Sequence, residues 1–168
     1  MLPSPLAAAI LITWRRNGAY ALRLVADLAP EQWTAQPVAG RTLNHPAWVL
    51  SHLNVYTPLC TAMLRGDSFS DPIDHRHGQR SEVSADPREY APAPALLAEF
   101  RSLHDEAERA LAAASEGALA TSNPLERWRT LHPTVGDMLV TLMVKHESGH
   151  LGQLSAWRRA MGLARVAM

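Results

Sequence analysis

Apolar residues return every three or four positions in four separate stretches of the chain, and nowhere do they alternate with polar ones as a half-buried strand requires. The pattern predicts an all-α protein. Ser4 as N-cap and Pro5 at the first helical position open the first helix, whose stripe carries Leu6, Ile10, Trp14, Ala21 and Leu24 until Pro30 ends it. Asn44 is the expected cap of the second, with Pro46 tolerated in its first turn. Its stripe runs Trp48, His52, Tyr56, Leu59 and Met63, with a kink at Pro58 and a stop at Gly66. The third begins near Ala93 and Pro94, places Leu96, Phe100, Leu103, Ala107 and Leu111 on one side, and fades from Ser115 to Gly117. Thr134 and Asp137 form a capping box that starts the fourth, on which Leu139, Leu142, His146, His150, Gln153 and Trp157 share a face before an end near Gly162.

Four helices, each with one apolar face, bury those faces most simply as a four-helix bundle, here a single domain over residues 1–168. The connection at 66–92 is much longer than the usual helix-to-helix link of about 2–8 residues. It can span the length of the bundle, so that helices two and three run parallel, and it can lie over the interior as a lid. The segment 115–133 is also long and has Trp128 and Leu131 to pack with.

A chain of 168 residues buries a core without needing a metal or a disulfide as a staple, so a bound metal would serve chemistry. Its 16 basic residues balance 16 acidic ones, which leaves no positive field to hold a nucleic-acid backbone. The apolar run from Leu6 to Ile12 is closed too early by Arg15 and Arg16 to span a membrane. Cys60 stands alone, which excludes an intrachain disulfide and a Cys-rich zinc site. It reads as a small buried apolar residue, and the cytoplasm is the expected compartment.

The chemistry lies in the histidines. His146 and His150 are four apart on a helix, so both imidazoles leave one face with Cβ atoms roughly 6 Å apart. On a buried stripe their nitrogens need partners, since an unsatisfied group costs roughly 1–3 kcal/mol, and one metal ion satisfies both. Beyond His150 the chain has no His, Asp, Glu or Cys, so a third ligand comes from upstream. His52, mid-helix between Trp48 and Tyr56, is the candidate. His45 is read as capping or solvated, His104 as lying at the bundle margin, and His75 and His77 as loop residues.

His146-Glu147-Ser-Gly-His150 also matches HExxH, the zinc-protease motif in which Glu is the general base. That chemistry takes a further ligand downstream and a substrate-binding strand, and the chain offers neither. A di-iron centre needs a second Glu-x-x-His unit, which is absent. Glu147 stands about 100° around the helix from His146; it is expected in solvent, with a catalytic base as the alternative. Gln153 returns to the inner stripe as the candidate to orient a ligand or cofactor.

Thr134-Val-Gly-Asp137 leading into His146-Glu-Ser-Gly-His150-Leu-Gly-Gln153-Leu154, together with Trp48-Val-Leu-Ser-His52-Leu53, resembles the DinB/YfiT-like family of small bacterial metalloenzymes over nearly the whole chain. The resemblance implies a bundle in up-down-down-up order and one metal held by His52, His146 and His150. It also implies a chemistry found among such proteins, thiol-dependent S-transfer with bacillithiol, mycothiol or glutathione.

Three neutral imidazoles leave coordination positions open, as a catalytic site requires, and suit Zn²⁺ or Ni²⁺ before Fe²⁺ or Mn²⁺. The first expectation is a metal-dependent S-transferase using a low-molecular-weight thiol and a small-molecule substrate. The alternatives are a hydrolase using metal-activated water and a non-enzymatic, stress-related metal-binding bundle. A homodimer is an assembly open to the chain, though the sequence does not fix the oligomeric state, and no nucleic-acid or membrane partner is expected.

Overall fold

The computed structural model describes residues 3–168. Helix α1 (Pro5–Val25) starts as its sequence dictates: the Ser4 hydroxyl accepts the Ala7 N–H, and Pro5 takes the first turn, where no N–H is missed. It stops short of Pro30, which opens a separate 3₁₀ turn at Pro30–Thr34. Helix α2 (Pro46–Arg65) is capped by His45, not by Asn44. The His45 ring accepts the Trp48 N–H through Nδ1 while Nε2 reaches the Ser84 carbonyl, so this imidazole is wholly buried and not solvated. The helix ends on Gly66 at φ 73°, the left-handed conformation that a side chain would oppose.

Helix α3 (Ala93–Ala113) follows, then a single turn, α4 (Glu116–Leu119). The Thr134–Asp137 capping box forms as expected and starts α5 (Val135–Leu139). From there the helix widens into a π segment (Val140–His146) and returns to α-helical form as α6 (Glu147–Ala160), making one continuous rod. No strand forms among the described residues, and none of their helices is long and apolar enough to cross a membrane.

Polar contacts give the helix directions. Asn54 donates to Leu96 and Glu99 while Arg65 meets Glu106, so α2 and α3 run the same way. Asn17 reaches Ser148, and Arg158 reaches Leu24 and Asp27, which aligns α1 with the last rod. Asn44 meets Gln153 and His52 meets His146, so α2 opposes that rod.

The core has two parts. Ile10, Trp14, Leu59, Leu111 and Met138 build one, and Leu24, Leu50, Phe100, Leu154 and Trp157 the other. His52 and His146 fall where one gives way to the other along α2 and the last rod.

The connection 66–92 lies against α2, fastened by side chains that alternate down one helix face. Trp48 donates to the Ser81 hydroxyl, His52 meets the His77 carbonyl, and Tyr56 accepts the Gln79 N–H. Arg127 then ties this connection to the second one, since its guanidinium holds Asp71 and Gln79. In the segment 115–133, Trp128 packs against the first core cluster as expected. Leu131 does not: it is 72% exposed, because the turn at its position directs it outward while Asn123 satisfies the segment's backbone at Leu125 and His132.

Candidate metal centre

His52, His146 and His150 converge. Each offers one nitrogen, and the three lie within 4.8 Å of one another, the only such group of His, Cys, Asp or Glu side chains among the described residues. The His146 Nε2 is central, 2.9 Å from the His52 Nε2 and 3.1 Å from the His150 Nε2. Two imidazole nitrogens about 2.0–2.1 Å from one ion stand roughly this far apart.

The remaining ring nitrogens fix the tautomers. The His52 Nδ1 lies 2.7 Å from the His77 carbonyl, which can only accept, so Nδ1 carries the proton and Nε2 the lone pair. The His150 Nδ1 lies 2.9 Å from the Gln153 Oε1, and the same oxygen accepts the Asn44 amide at 2.8 Å, which gives His150 the same tautomer. Two lone pairs therefore point at the His146 Nε2, and a single proton there can satisfy only one of them. A cation satisfies all three, so the residues present fit a divalent metal ion. Gln153 is the side chain in contact with the outer nitrogen of His150.

The environment keeps these rings neutral. Burial, then repulsion from His150, depresses His52 to about 4. Burial with the two neighbouring imidazoles takes His146 to about 3, and burial lowers His150 as well. In the unfolded chain the same groups titrate near 6.5. The unfolded state therefore takes up protons first as pH falls, and the metal-free protein is expected to lose stability progressively from about pH 6.5 down to about 4. His52 and His146 each contribute a slope of about 1.4 kcal/mol per pH unit over that range. Urea denaturation of metal-free protein at stepped pH measures this; a flat midpoint between pH 6.5 and 4.5 would contradict the neutral, buried assignment.

A pocket of about 420 Å³ opens onto the three nitrogens. Trp48, Tyr56, Trp128, Met138 and Leu142 give it apolar walls; Gln79, Arg127, Thr141, Lys145 and Gln153 add polar groups. The connection 66–92 contributes Gln79, so it forms part of one wall of the site.

Glu147 departs from expectation. It is 1% exposed, not solvated, and its Oε1 meets the His104 Nε2 at 2.5 Å. It does not line the pocket. His104 is likewise interior, not marginal, stacked on Trp14 with ring centroids 3.6 Å apart. Gly18 permits this, since a Cβ there would stand 2.8 Å from the His104 Nδ1. A signal for the pair does exist in the sequence: Met143, Glu147, Leu151, Leu154 and Arg158 repeat at helical spacing as a second buried stripe facing α1. Cys60 is buried as expected, with its thiol pushed well above the ordinary range by burial. His75 and His77 stay in the connection, and the His77 backbone, not its ring, serves the site.

A family model for the DinB superfamily matches residues 13–154, a span that includes all three histidines. No curated protein and no solved structure matches the chain.

Proposed function

Because the chain belongs to the DinB superfamily, we propose that it is a metal-dependent enzyme in which a low-molecular-weight thiol attacks an electrophilic small molecule. The observation that carries this reading is the combination of three neutral, orientationally fixed imidazoles with a 420 Å³ pocket opening onto them. His52, His146 and His150 would hold a divalent cation, and the chemistry it would supply is Lewis acidity that favours the thiolate form of a thiol at neutral pH.

The chain's own residues do the rest. The His77 carbonyl and Gln153 keep the imidazole lone pairs turned inward. Trp48, Tyr56 and Trp128 provide an apolar cavity that excludes water from the reacting sulfur and accommodates a hydrophobic electrophile. The Tyr56 oxygen accepts the Gln79 N–H, which leaves its own proton to be donated into the site. Burial raises the Tyr56 pKa and keeps that proton in place. As the sulfur–carbon bond forms, the leaving group departs with its electron pair, and the thiol proton passes to solvent.

Hydrolysis with Glu147 as base is disfavoured by position, since that carboxylate is committed to His104 and lies away from the pocket. The test is turnover of a chlorinated aromatic and of an epoxide by metal-loaded protein, with glutathione, bacillithiol and mycothiol offered separately. Product formation with at least one thiol, lost on chelation, is the expected result. Silence with all three thiols, or undiminished turnover in chelator, would overturn the reading.

A further inference from the structure

The pocket beside the three histidines carries, on an exposed side chain at its edge, a charge that no carboxylate among the described residues answers. The chain has fifteen arginines but one lysine, and that residue, Lys145, lines the pocket immediately before His146 on the π segment. Among the described residues it pairs with no carboxylate.

The other cation at the pocket is already engaged. Arg127 holds Asp71 through Nε and Nη2 and Gln79 through Nη1, so that pair is close to neutral and serves to join the two connections. Among the described residues no Asp or Glu lines the pocket, although the chain contains sixteen. Three neutral imidazoles, a neutralised arginine, one free ammonium and no acid make a cavity of one sign. Such a cavity, the more so when His52, His146 and His150 hold a divalent cation, selects anionic small molecules by attraction and leaves the charge of a cationic one without a counterpart. Its remaining walls are aromatic and aliphatic, which fits an anion with an apolar body better than a free inorganic one.

We propose that Lys145 is the anchor for a carboxylate, and that the pocket takes a carboxylate-bearing small molecule whose apolar part lies against Trp48, Trp128 and Leu142. The inference rests on the functional reading above for the identity of the reaction, but not for the existence of the subsite. Lysine is suited to this role because its ammonium is a compact charge with three rotatable donors, able to meet a carboxylate from several directions, whereas the guanidinium fork of Arg127 is fixed on its partners. Its place next to His146 puts the anchored end and the metal-facing end of one small molecule within the same cavity. The carboxylate belongs either to the thiol or to the electrophile, and the two sources can be separated by experiment.

The test uses Co²⁺-loaded protein and two matched pairs of probes, 3-mercaptopropionate against its amide and benzoate against benzamide. Binding of all four is measured by calorimetry, and thiol coordination by the sulfur-to-cobalt absorption band. The acid of at least one pair is expected to bind about tenfold more tightly than its amide, since a charge-assisted hydrogen bond outweighs a neutral one even where partial exposure weakens it. Lys145→Gln should erase that preference while the cobalt content stays at the wild-type level, and Lys145→Arg should restore most of it. Preference in the thiol pair alone assigns the carboxylate to the thiol; preference in the benzoate pair alone assigns it to the electrophile.

Equal binding of acid and amide in both pairs, or a preference that survives Lys145→Gln, would overturn the proposal. Absence of the sulfur-to-cobalt band with a Lys145-dependent preference for benzoate would instead remove the thiol reading and leave the subsite standing. If cobalt fails to load, the benzoate pair is titrated into metal-free protein, where the same Lys145 dependence is required.

Discussion

Replacement of His146 by alanine is expected to abolish stoichiometric metal binding. Its Nε2 stands between the other two, 2.9 Å from that of His52 and 3.1 Å from that of His150, so its loss removes the ligand that the remaining pair shares. Loss of an orienting partner alone costs about 10–100-fold in metal affinity. Gln153→Ala, which frees the His150 Nδ1, is expected within that range, and His146→Ala beyond it. Elemental analysis after gel filtration, with chelator competition for the affinity, separates the two. One equivalent of metal in His146→Ala at wild-type affinity would mean that the cluster does not hold the ion. The same substitution removes the most strongly depressed imidazole, so metal-free His146→Ala should also lose less stability than wild type as the solution is acidified.

Glu147→Ala is expected to give the largest loss of stability without touching a metal ligand. The carboxylate is buried against the His104 Nε2, and its other oxygen has no partner. Its removal leaves a buried imidazole nitrogen unpaired, at about 1–3 kcal/mol, and opens a void between α1, α3 and α6 that adds to this. A total of about 2–4 kcal/mol follows, or a fall in Tm of about 5–10 °C for a domain of this size. Glu147→Gln keeps an oxygen for His104 and should cost less than half as much. Differential scanning calorimetry of the metal-free proteins gives both values. A Tm for Glu147→Ala within about 1 °C of wild type would show that the pair contributes nothing to the fold, given the shift expected per kcal/mol.

The two results concern different faces of one helix, about 100° apart, and they mark how far the sequence could be read. The stripe of His146, His150 and Gln153 was legible because histidine at a spacing of four on an apolar face demands a shared partner, and His52 followed from the same logic on α2. The second stripe carried equal information, yet a Glu among leucines reads as a solvent position until it is known that the last rod packs against α1 as well as α2. His104 was obscured for the same reason: its partner is 43 residues away on another helix, and local spacing says nothing of such a distance. The cap of α2 went to His45 over Asn44 because Asn44 has a better use, holding Gln153 across the bundle. Both long connections were recognisable from length and composition. Their attachments were not, since the bonds of Trp48, His52 and Tyr56 to the first connection run largely to backbone, or to a lone serine, and carry no residue signature.

The π segment Val140–His146 was also invisible to a pattern of threes and fours, and it separates two jobs that a regular helix would have coupled. In an uninterrupted α-helix, the angle at which a residue leaves the axis is set by every residue before it, so shifting the capped, core-packed start of the rod would swing the ligand pair by about 100° per residue. A turn that closes over five residues absorbs such a slip between Leu139 and Glu147. The first half of the rod can thus be docked for packing and the second half aimed for coordination, like two lengths of shaft joined by an adjustable coupling.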